Sequence, residues 1–478
     1  MSIRFSPRIL TAIALFGLFA SLNSTCSGAL IPPIHPQTLE ERVARLEAAQ
    51  ASPATPAISS GDNAWLLVSS ALVLMMTAPG LILFYGGLVR RKNVLSTMGQ
   101  SLVLMAIISA LWMIYGYSMA FAKGNAFSGN PFTYFLLNGV GGAPNSDYAP
   151  TVPQQSFMLF QMMFAIITPA LISGAIAERI KFSSYVMFTV LWVTIVYFPL
   201  CHMMWGNGGL FNWALGGRYP VLDFAGGTVV HVSSGVSALV CALMLGRRVG
   251  FPHEPMPPHN VVLSLIGAGL LWVGWFGFNA GSAVNAGALA SSAFAATHFS
   301  AAAAALGWAG TEWLLKGKPS VLGVASGMVA GLATITPASG FVTIPVAFFI
   351  GFTGGVVCYF AVTRLKSAFR YDDSLDVFGV HGVGSTIGLI LLGLFANATV
   401  NGAIANTFQS GGKTISLVGS PAQLVNQLRG VLFTVTLAAS GTYLILKLVD
   451  ALVGLRVTVE EEDSGLDLSQ HGESAYND

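Results

Sequence analysis

The sequence from Asp223 to Arg248 reads DFAGGTVVHVSSGVSALVCALMLGRR, and it decides the fold class. Between Asp223 and Arg247 it carries apolar and small residues, with a single imidazole, His231, and no charged side chain. About 20 such residues form a helix long enough to cross the hydrocarbon core of a membrane. Because ionisable groups are costly at that depth, His231 is a candidate functional residue of a transmembrane helix.

Similar apolar runs extend along the chain in both directions from this stretch. Each is near membrane-spanning length and lacks Asp, Glu, Lys and Arg, and each is rich in Gly and Ala, as closely packed membrane helices are. The eleven runs are 64–88, 100–122, 156–177, 183–205, 226–246, 260–283, 291–311, 320–338, 342–363, 378–397 and 430–446. The sequence therefore predicts an all-α membrane protein with eleven transmembrane helices.

The overall composition supports this class. Of the 478 residues only 9% are charged and 54% are hydrophobic, whereas soluble domains average about 25% charged residues. The formal net charge of +2 gives no reason to expect nucleic-acid binding. We expect an integral membrane protein rather than a soluble enzyme.

Loop charges predict the orientation. One alternate set of loops carries twelve basic residues: Arg90, Arg91, Lys92, Arg179, Lys181, Arg247, Arg248, Lys316, Lys318, Arg364, Lys366 and Arg370. The other set carries three: Lys123, Arg218 and Lys413. Basic loops face the cytoplasm, so the N-terminus is expected outside and the C-terminus inside, in the cell (inner) membrane.

The two ends of the chain differ in composition from the membrane domain, which we place at 62–450. Residues 1–29 have the basic region, apolar core and small residues of a signal peptide, with an uncleaved anchor helix as the alternative. Residues 30–60 form a predicted extracytoplasmic segment, with a short helix over 38–50 that we expect to help hold subunits together. Residues 451–478 form a polar, acidic, cytoplasmic tail.

Two histidines sit in related settings. Asp223 precedes His231 by eight residues, and Asp373 precedes His381 by eight residues in DSLDVFGVH. The two predicted spans run in opposite directions and are five apart, and each His lies about 12 Å along its helix. The rings would meet near the midplane, which is the pattern of an inverted five-plus-five repeat.

The sequence gives little support for a metal site, a cofactor or enzyme activity. A zinc site usually needs three protein ligands, and the spans supply no carboxylate, so we expect no metal, no cofactor and no enzyme activity. His202 and His298 are expected to be hydrogen-bonded packing residues. Phe160, Phe164 and Trp205 suit either packing or a cation site, and the residues alone do not separate the two.

Five separated segments resemble the ammonium transporter family, in its Amt branch. They are FQMMFAIITPALISGAIAERIKF (160–182), HMMWGNGG (202–209), DFAGGTVVHVSSG (223–235), LLWVGWFGFNAGSA (270–283) and DVFGVHGVGSTIG (376–388). The tail from Gly454 to Tyr476 resembles the cytoplasmic C-terminus of that family. Asn207 interrupts the Gly-rich stretch after Trp205, so the vestibule is expected to differ there.

The resemblance implies a role for each of these residues. Trp205, Phe164 and Ser282 match an external ammonium-binding site, and Asp223 matches the carboxylate that supports it without contacting the substrate. Phe164 and Phe278 match a stacked gate, with Phe160 nearby. His231 and His381 match the paired histidines of the pore.

The resemblance also implies partners and a function. The family assembles as a homotrimer with one pore in each subunit, and a PII-type signalling protein can bind its cytoplasmic face. The expected function is transport of ammonium, conducted as NH3 with or without a separate proton. The alternatives are a channel for NH3 or CO2 gas, as in the related Rh proteins, and an ammonium sensor that signals through its tail.

Overall fold

The computed structural model of this chain describes residues 38–40, 58–405, 408–410 and 413–476. The predicted signal peptide and nearly all of the segment 30–60 lie outside these ranges; within them, Leu39 and Glu40 are helical. Residues 58–476 belong to one compact unit.

Long apolar helices dominate this unit. The transmembrane-length helices are α1 (Ser60–Leu88), α2 (Arg91–Phe121), α3 (Gln154–Ile176), α4 (Phe182–Trp205), α5 (Gly227–Leu245), α6 (Val261–Gly281), α7 (Ala288–Lys316), α9 (Ile344–Phe369), α10 (Phe378–Phe395) and α11 (Pro421–Val453). A shorter apolar helix, α8 (Val321–Ile335), lies between α7 and α9, and α12 (Val459–Ser464) lies in the tail. The prediction of an all-helical, multi-spanning membrane protein is confirmed at this level.

Two small hairpins complete the regular structure. Strand β1 (Pro144–Asn145) pairs antiparallel with β2 (Ala149–Pro153) in the loop between α2 and α3. Strand β3 (Phe408–Ser410) pairs antiparallel with β4 (Lys413–Ile415) between α10 and α11. Short 3₁₀ turns occur at Arg91–Asn93, Phe135–Leu137 and Gly402–Ile404.

The helices extend beyond the apolar runs that predict them. The run 430–446 becomes the 33-residue helix α11, and the run 100–122 becomes a helix that starts at Arg91. Hydropathy marks only the part of a helix that needs a membrane, whereas backbone hydrogen bonding continues into polar residues at either end. The predicted bounds are therefore too short at these ends.

The tail packs against loops of its own chain. The Val457 amide donates to the carbonyl of Arg179 (3.1 Å), and the Lys181 amide donates to the carbonyl of Leu455 (3.0 Å). Farther along, the Asp467 carboxylate accepts the Ser96 amide (2.8 Å) near the start of α2. We name the face of the bundle where residues 454–476 pack the tail face.

Candidate functional site

A cavity of about 410 Å³ opens at the end of the bundle opposite the tail face. Helix α4 is 24 residues long. It starts at Phe182, whose amide donates to Gln470 of the tail (3.1 Å), and ends at Trp205 in this cavity. Asp223 and Ser282 also line it. We call it the Trp205 cavity.

Asp223 fixes the indole of Trp205. The indole Nε1 donates to the backbone carbonyl of Asp223 at 3.0 Å. The Asp223 carboxylate accepts the backbone amides of Gly226 (2.8 Å), Gly227 (2.6 Å) and Thr228 (2.8 Å), and the Thr228 hydroxyl. Since this buried carboxylate already caps the start of α5, it positions the aromatic ring and has little capacity left to bind a substrate directly.

Aromatic rings close the floor of the cavity. Phe164 lies edge-on to Trp205, with centroids 5.9 Å apart, and stacks on Phe278 at 4.2 Å. Phe160 contacts the edge of Phe164 at 5.0 Å. The Ser282 hydroxyl donates to the carbonyl of Phe278 (2.9 Å), which leaves its oxygen lone pairs free to accept a hydrogen bond.

His231 and His381 lie beyond this floor with their imidazoles side by side. Their Nδ1 atoms are 3.2 Å apart, and the ring planes differ by 15°. Both side chains are buried, and Nε2 of His231 has no hydrogen-bond partner in the described part of the chain. One ring can donate its Nδ1 proton to the other, so the two imidazoles form a hydrogen-bonded pair.

Widened helical turns carry both histidines. His231 lies in the π-helical segment Gly227–Val232 at the start of α5, and His381 lies in the corresponding segment Phe378–Val383 of α10. Such turns recur at functional sites, but π-helical segments also occur elsewhere in this structure, at Met76–Leu81, Trp112–Gly116, Val193–Tyr197, Ala361–Leu365 and Asp467–His471. The widened turns alone therefore do not single out the histidines. Gly235 brings the two helices together, because a Cβ there would lie 2.3 Å from the backbone nitrogen of Gly382.

Trp275 and Tyr85 complete the wall around the histidines, and neither residue is among those predicted from the sequence. Trp275 stacks on His231 with centroids 5.3 Å apart, and the Tyr85 hydroxyl donates to the carbonyl of Leu171 (3.1 Å). The open space beside the pair is only about 10 Å³, close to the minimum that holds one water. Trp275 lies three residues before Phe278, so helical spacing was an available signal.

A second cavity, of about 170 Å³, reaches His381 from the tail face. Tyr85, Ser374 and Asp376 line it together with the imidazole. The Asp376 carboxylate accepts Nζ of Lys366 at 2.6 Å. The two cavities therefore approach the histidine pair from opposite ends of the bundle.

Ion pairs near the tail face join four loops. Glu178 accepts Nε of Arg90 (2.8 Å) and Nη1 of Arg248 (3.1 Å), and Arg248 also donates to Asp372 (2.8 Å). Burial alone would raise the pKa of Glu178, but the guanidinium groups of Arg248 and Arg90 hold it below its ordinary value. Four of the five loops that carry the predicted cytoplasmic basic residues meet here, and the loop with Lys316 and Lys318 is not part of these ion pairs.

The other two histidines of the predicted spans, His202 and His298, lie in different environments. His202 is buried and bonds to the carbonyls of Ala120 (3.1 Å) and Asn125 (2.9 Å), as predicted for a packing residue. The same prediction is wrong for His298, which is exposed on α7 and stacks on Trp272 at 5.3 Å. An exposed position offers aromatic contact on one side but no buried polar partner.

Asn207 joins two loops at the rim of the Trp205 cavity. Its side-chain amide donates to the Asp147 carboxylate at 2.6 Å, and its backbone amide donates to the Tyr148 hydroxyl at 2.8 Å. The residue that interrupts the Gly-rich stretch therefore holds a carboxylate beside the entrance to the cavity.

Comparison with known sequences finds extended similarity. The sequence profile of the Ammonium Transporter Family matches residues 64–476. A putative ammonium transporter of Methanothermobacter thermautotrophicus is 48% identical over 420 residues, covering 88% of this chain and 99% of that protein. An ammonium transporter of Bacillus subtilis is 45% identical over 418 residues, covering 87% and 99%.

Comparison with solved structures finds the same fold. Saccharomyces cerevisiae Mep2 superposes with a TM-score of 0.75 at 36% identity, covering 84% of this chain and 91% of that one. A structure described as a sensor Amt protein superposes with a TM-score of 0.76 at 28% identity, covering 86% and 98%.

Proposed function

This chain belongs to the ammonium transporter family and transports ammonium across a membrane, and from that premise we propose how its residues do so. NH4+ binds in the Trp205 cavity, passes the stacked Phe164 and Phe278, and is conducted along His231 and His381 as NH3, with or without a separate proton. The observation that carries this proposal is the pair of imidazoles lying between two cavities that open at opposite ends.

The Trp205 cavity replaces part of the water around the ion. The indole face offers a cation–π attraction of about 0.5–2 kcal/mol, and the Ser282 oxygen accepts one N–H. Asp223 holds the indole through its backbone carbonyl. Below, Phe164 and Phe278 exclude water, and a bare cation in such an apolar passage is costly.

The histidine pair selects ammonium over potassium by hydrogen bonding and proton transfer rather than by pore diameter. Neutral imidazoles can accept a hydrogen bond from ammonium and take up its proton, which favours passage of uncharged NH3. Potassium has a similar size but has no proton to give and no hydrogen bond to donate. The similar proteins of Methanothermobacter thermautotrophicus and Bacillus subtilis are named as ammonium transporters, which favours transport over a sensor. Trp205 favours ammonium recruitment over a gas channel.

Trp205→Leu tests the recruitment step. We expect the apparent affinity for ammonium to fall roughly 2- to 30-fold, the equivalent of one lost cation–π contact. Ammonium-driven currents of the purified protein in liposomes measure this across a concentration series. The matched control is Trp313→Leu, which removes a 62% exposed indole from α7 near the tail face. An unchanged half-saturating concentration for Trp205→Leu would remove Trp205 from the binding site.

We propose that α8 is an eleventh span, that α1–α5 and α6–α10 form an inverted repeat, and that the tail face is cytoplasmic in the cell inner membrane. On this proposal 1–29 is a signal peptide, 30–60 is extracytoplasmic, 62–450 is the membrane domain and 451–478 is the cytoplasmic tail. The matching π-helical segments around His231 and His381, in α5 and α10, support the repeat.

Cysteine labelling tests this orientation. A cysteine placed at the exposed Asp147 should react with a membrane-impermeant thiol reagent in intact cells, whereas one at the exposed Lys318 should react only after lysis. Cys201, Cys241 and Cys358 are buried, so their background labelling should be low. The reverse labelling pattern would place the tail face outside.

We further propose that the chain forms a homotrimer, that the tail couples its subunits, and that a PII-type signalling protein binds the tail face. The contacts of the tail with the loops at Arg179 and Val249 and with Ser96 at the start of α2 support a coupling role. A chain ending after Gly454 should lower both the melting temperature of the oligomer and the ammonium current. Full flux together with unchanged melting would argue against coupling.

A further inference from the structure

Two arginines from distant parts of the chain contact the same tyrosine. The guanidinium Cζ of Arg218 and that of Arg429 each lie 5.4 Å from the ring centroid of Tyr219. Arg218 and Tyr219 lie in the loop between α4 and α5, and Arg429 lies on α11. We call these three residues the arginine–tyrosine site.

Neither guanidinium of this site is neutralised by a carboxylate in the part of the chain that the structure describes. Within the described residues, neither Arg218 nor Arg429 forms an ion pair, and Arg429 donates only to the Asn426 side chain (3.2 Å). Arg90 and Arg248, by contrast, are both paired with Glu178. Two like charges that share one ring repel each other, so the arrangement favours a bound anion.

The position of Arg429 on α11 indicates its depth in the membrane. No charged residue occurs between Arg429 and Lys447, and the intervening residues extend about 26 Å along the helix. That length is close to the roughly 30 Å of the hydrocarbon core. Arg429 therefore lies at the boundary where lipid head groups begin, and basic and aromatic side chains are common at this level.

An apolar surface continues from the site into the membrane. Leu432 is one helical turn beyond Arg429, on the same face of α11, and 69% of its side chain is exposed. Leu428 and Val425 are also exposed on this helix. A ligand that contacts both the guanidiniums and this surface needs a charged head and an apolar body.

We propose that Arg218, Tyr219 and Arg429 bind the phosphate of an anionic phospholipid whose acyl chains lie along α11 at Leu432. Guanidinium groups match a phosphate with paired N–H donors, and the tyrosine face holds both cations in place. Two cations without a carboxylate favour a net-negative head group over a zwitterionic one. The apolar surface favours a lipid over free phosphate.

Purified full-length protein in a neutral detergent tests this site. Phosphatidylglycerol should raise the melting temperature by roughly 2–4 °C, as a ligand of the folded state does. Phosphatidylcholine and inorganic phosphate should give much smaller shifts. Quenching of protein fluorescence by a labelled phosphatidylglycerol measures the affinity directly, and neither measurement requires transport.

Substitutions distinguish lipid binding at this site from a general attraction of anionic lipid to the positive charge of the protein. Arg218→Gln with Arg429→Gln should weaken phosphatidylglycerol binding roughly tenfold or more. The matched control, Lys123→Gln with Lys318→Gln, removes the same charge from exposed lysines that form no ion pair in the described residues, and should bind as wild type does. Tyr219→Phe should keep the affinity, since the ring remains, whereas Tyr219→Ala should lower it.

Two outcomes overturn the proposal. The first is equal phosphatidylglycerol binding by the double arginine variant and wild type, with both eluting as the same oligomer. The second is a stabilisation by inorganic phosphate as large as that by phosphatidylglycerol, which would make this a site for a free anion. If the arginine variant does not fold, the Tyr219→Phe and Tyr219→Ala pair decides, and equal affinities then reject the site.

Discussion

His381→Ala is expected to remove most of the ammonium-linked current, by roughly 100-fold, the scale of a lost proton-transfer group. The substitution takes away the ring whose Nδ1 lies 3.2 Å from Nδ1 of His231, and with it the only side-chain hydrogen-bond partner of that buried imidazole in the described chain. Without a neighbouring imidazole, ammonium has no relay for its proton and remains a cation in an apolar passage.

His231→Glu is expected to admit potassium. A carboxylate at this depth leaves a fixed negative charge between Trp275 and His381, and such a charge can stabilise a bare cation that neutral imidazoles reject. Selectivity between ammonium and potassium should then fall, although the ammonium current persists. Packing dominates the surrounding helices, so neither histidine variant should prevent folding.

Ammonium current and potassium leak should be recorded for each variant in the same liposomes. His298→Ala is the matched control, because its ring is exposed on α7 and stacks on Trp272 outside the pore. If His381→Ala and His231→Glu both match wild type in current and leak, the histidine pair is structural and the proposed conduction mechanism is wrong.

Glu178→Gln is expected to destabilise the folded protein by about 3–5 kcal/mol, the usual cost of breaking a buried ion pair on one side. The Glu178 side chain is fully buried and accepts from Arg90 (2.8 Å) and Arg248 (3.1 Å). A neutral amide leaves these guanidiniums facing each other, and Asp372 can neutralise only Arg248. The loops that carry them should then separate at lower temperature.

Thermal melting of the purified protein measures this loss. Asp463→Asn is the control, because Asp463 is 86% exposed and lies 3.7 Å from Lys92, and exposed pairs contribute only about 0–1 kcal/mol. The ion pairs lower the pKa of Glu178. Their contribution to the stability of the folded protein is therefore fully present above the ordinary glutamate pKa. It is lost as the pH falls through the lowered value. Wild type should therefore lose stability in acid more steeply than Glu178→Gln, and parallel profiles would contradict the assignment.

The sequence predicts the class of this protein because hydropathy is a local property. Each apolar run must avoid water wherever it lies in the fold, so the runs appear in the sequence without knowledge of their neighbours. The eight-residue spacing of Asp223 and His231, repeated by Asp373 and His381, likewise marks the two histidines as a related pair. The predicted rise of about 12 Å along a helix is wrong, because the π-helical segments that carry the histidines begin only at Gly227 and Phe378. The segments that resemble the ammonium transporter family then identify the substrate.

Helix ends and the surroundings of the site were less predictable. The polar turns of α2 and α11 are helical because backbone hydrogen bonds extend them, and hydropathy does not detect these bonds. The prediction that His298 is a hydrogen-bonded packing residue is wrong for a related reason. Its position in an apolar run does not reveal which face of α7 is exposed. Trp275 and Tyr85 were missed because aromatic residues in a span are usually packing residues.

Local sequence alone determined that the chain is a multi-spanning membrane protein with two histidines at depth. Tertiary structure decided which groups touch. His231 and His381 are 150 positions apart, and Glu178 contacts Arg90 and Arg248 across 88 and 70 positions. Arg218 and Arg429 share Tyr219 only because α11 packs beside the loop before α5. Such contacts depend on how the helices pack, and packing arises from many distant side chains at once, so it cannot be read from any one stretch of the chain.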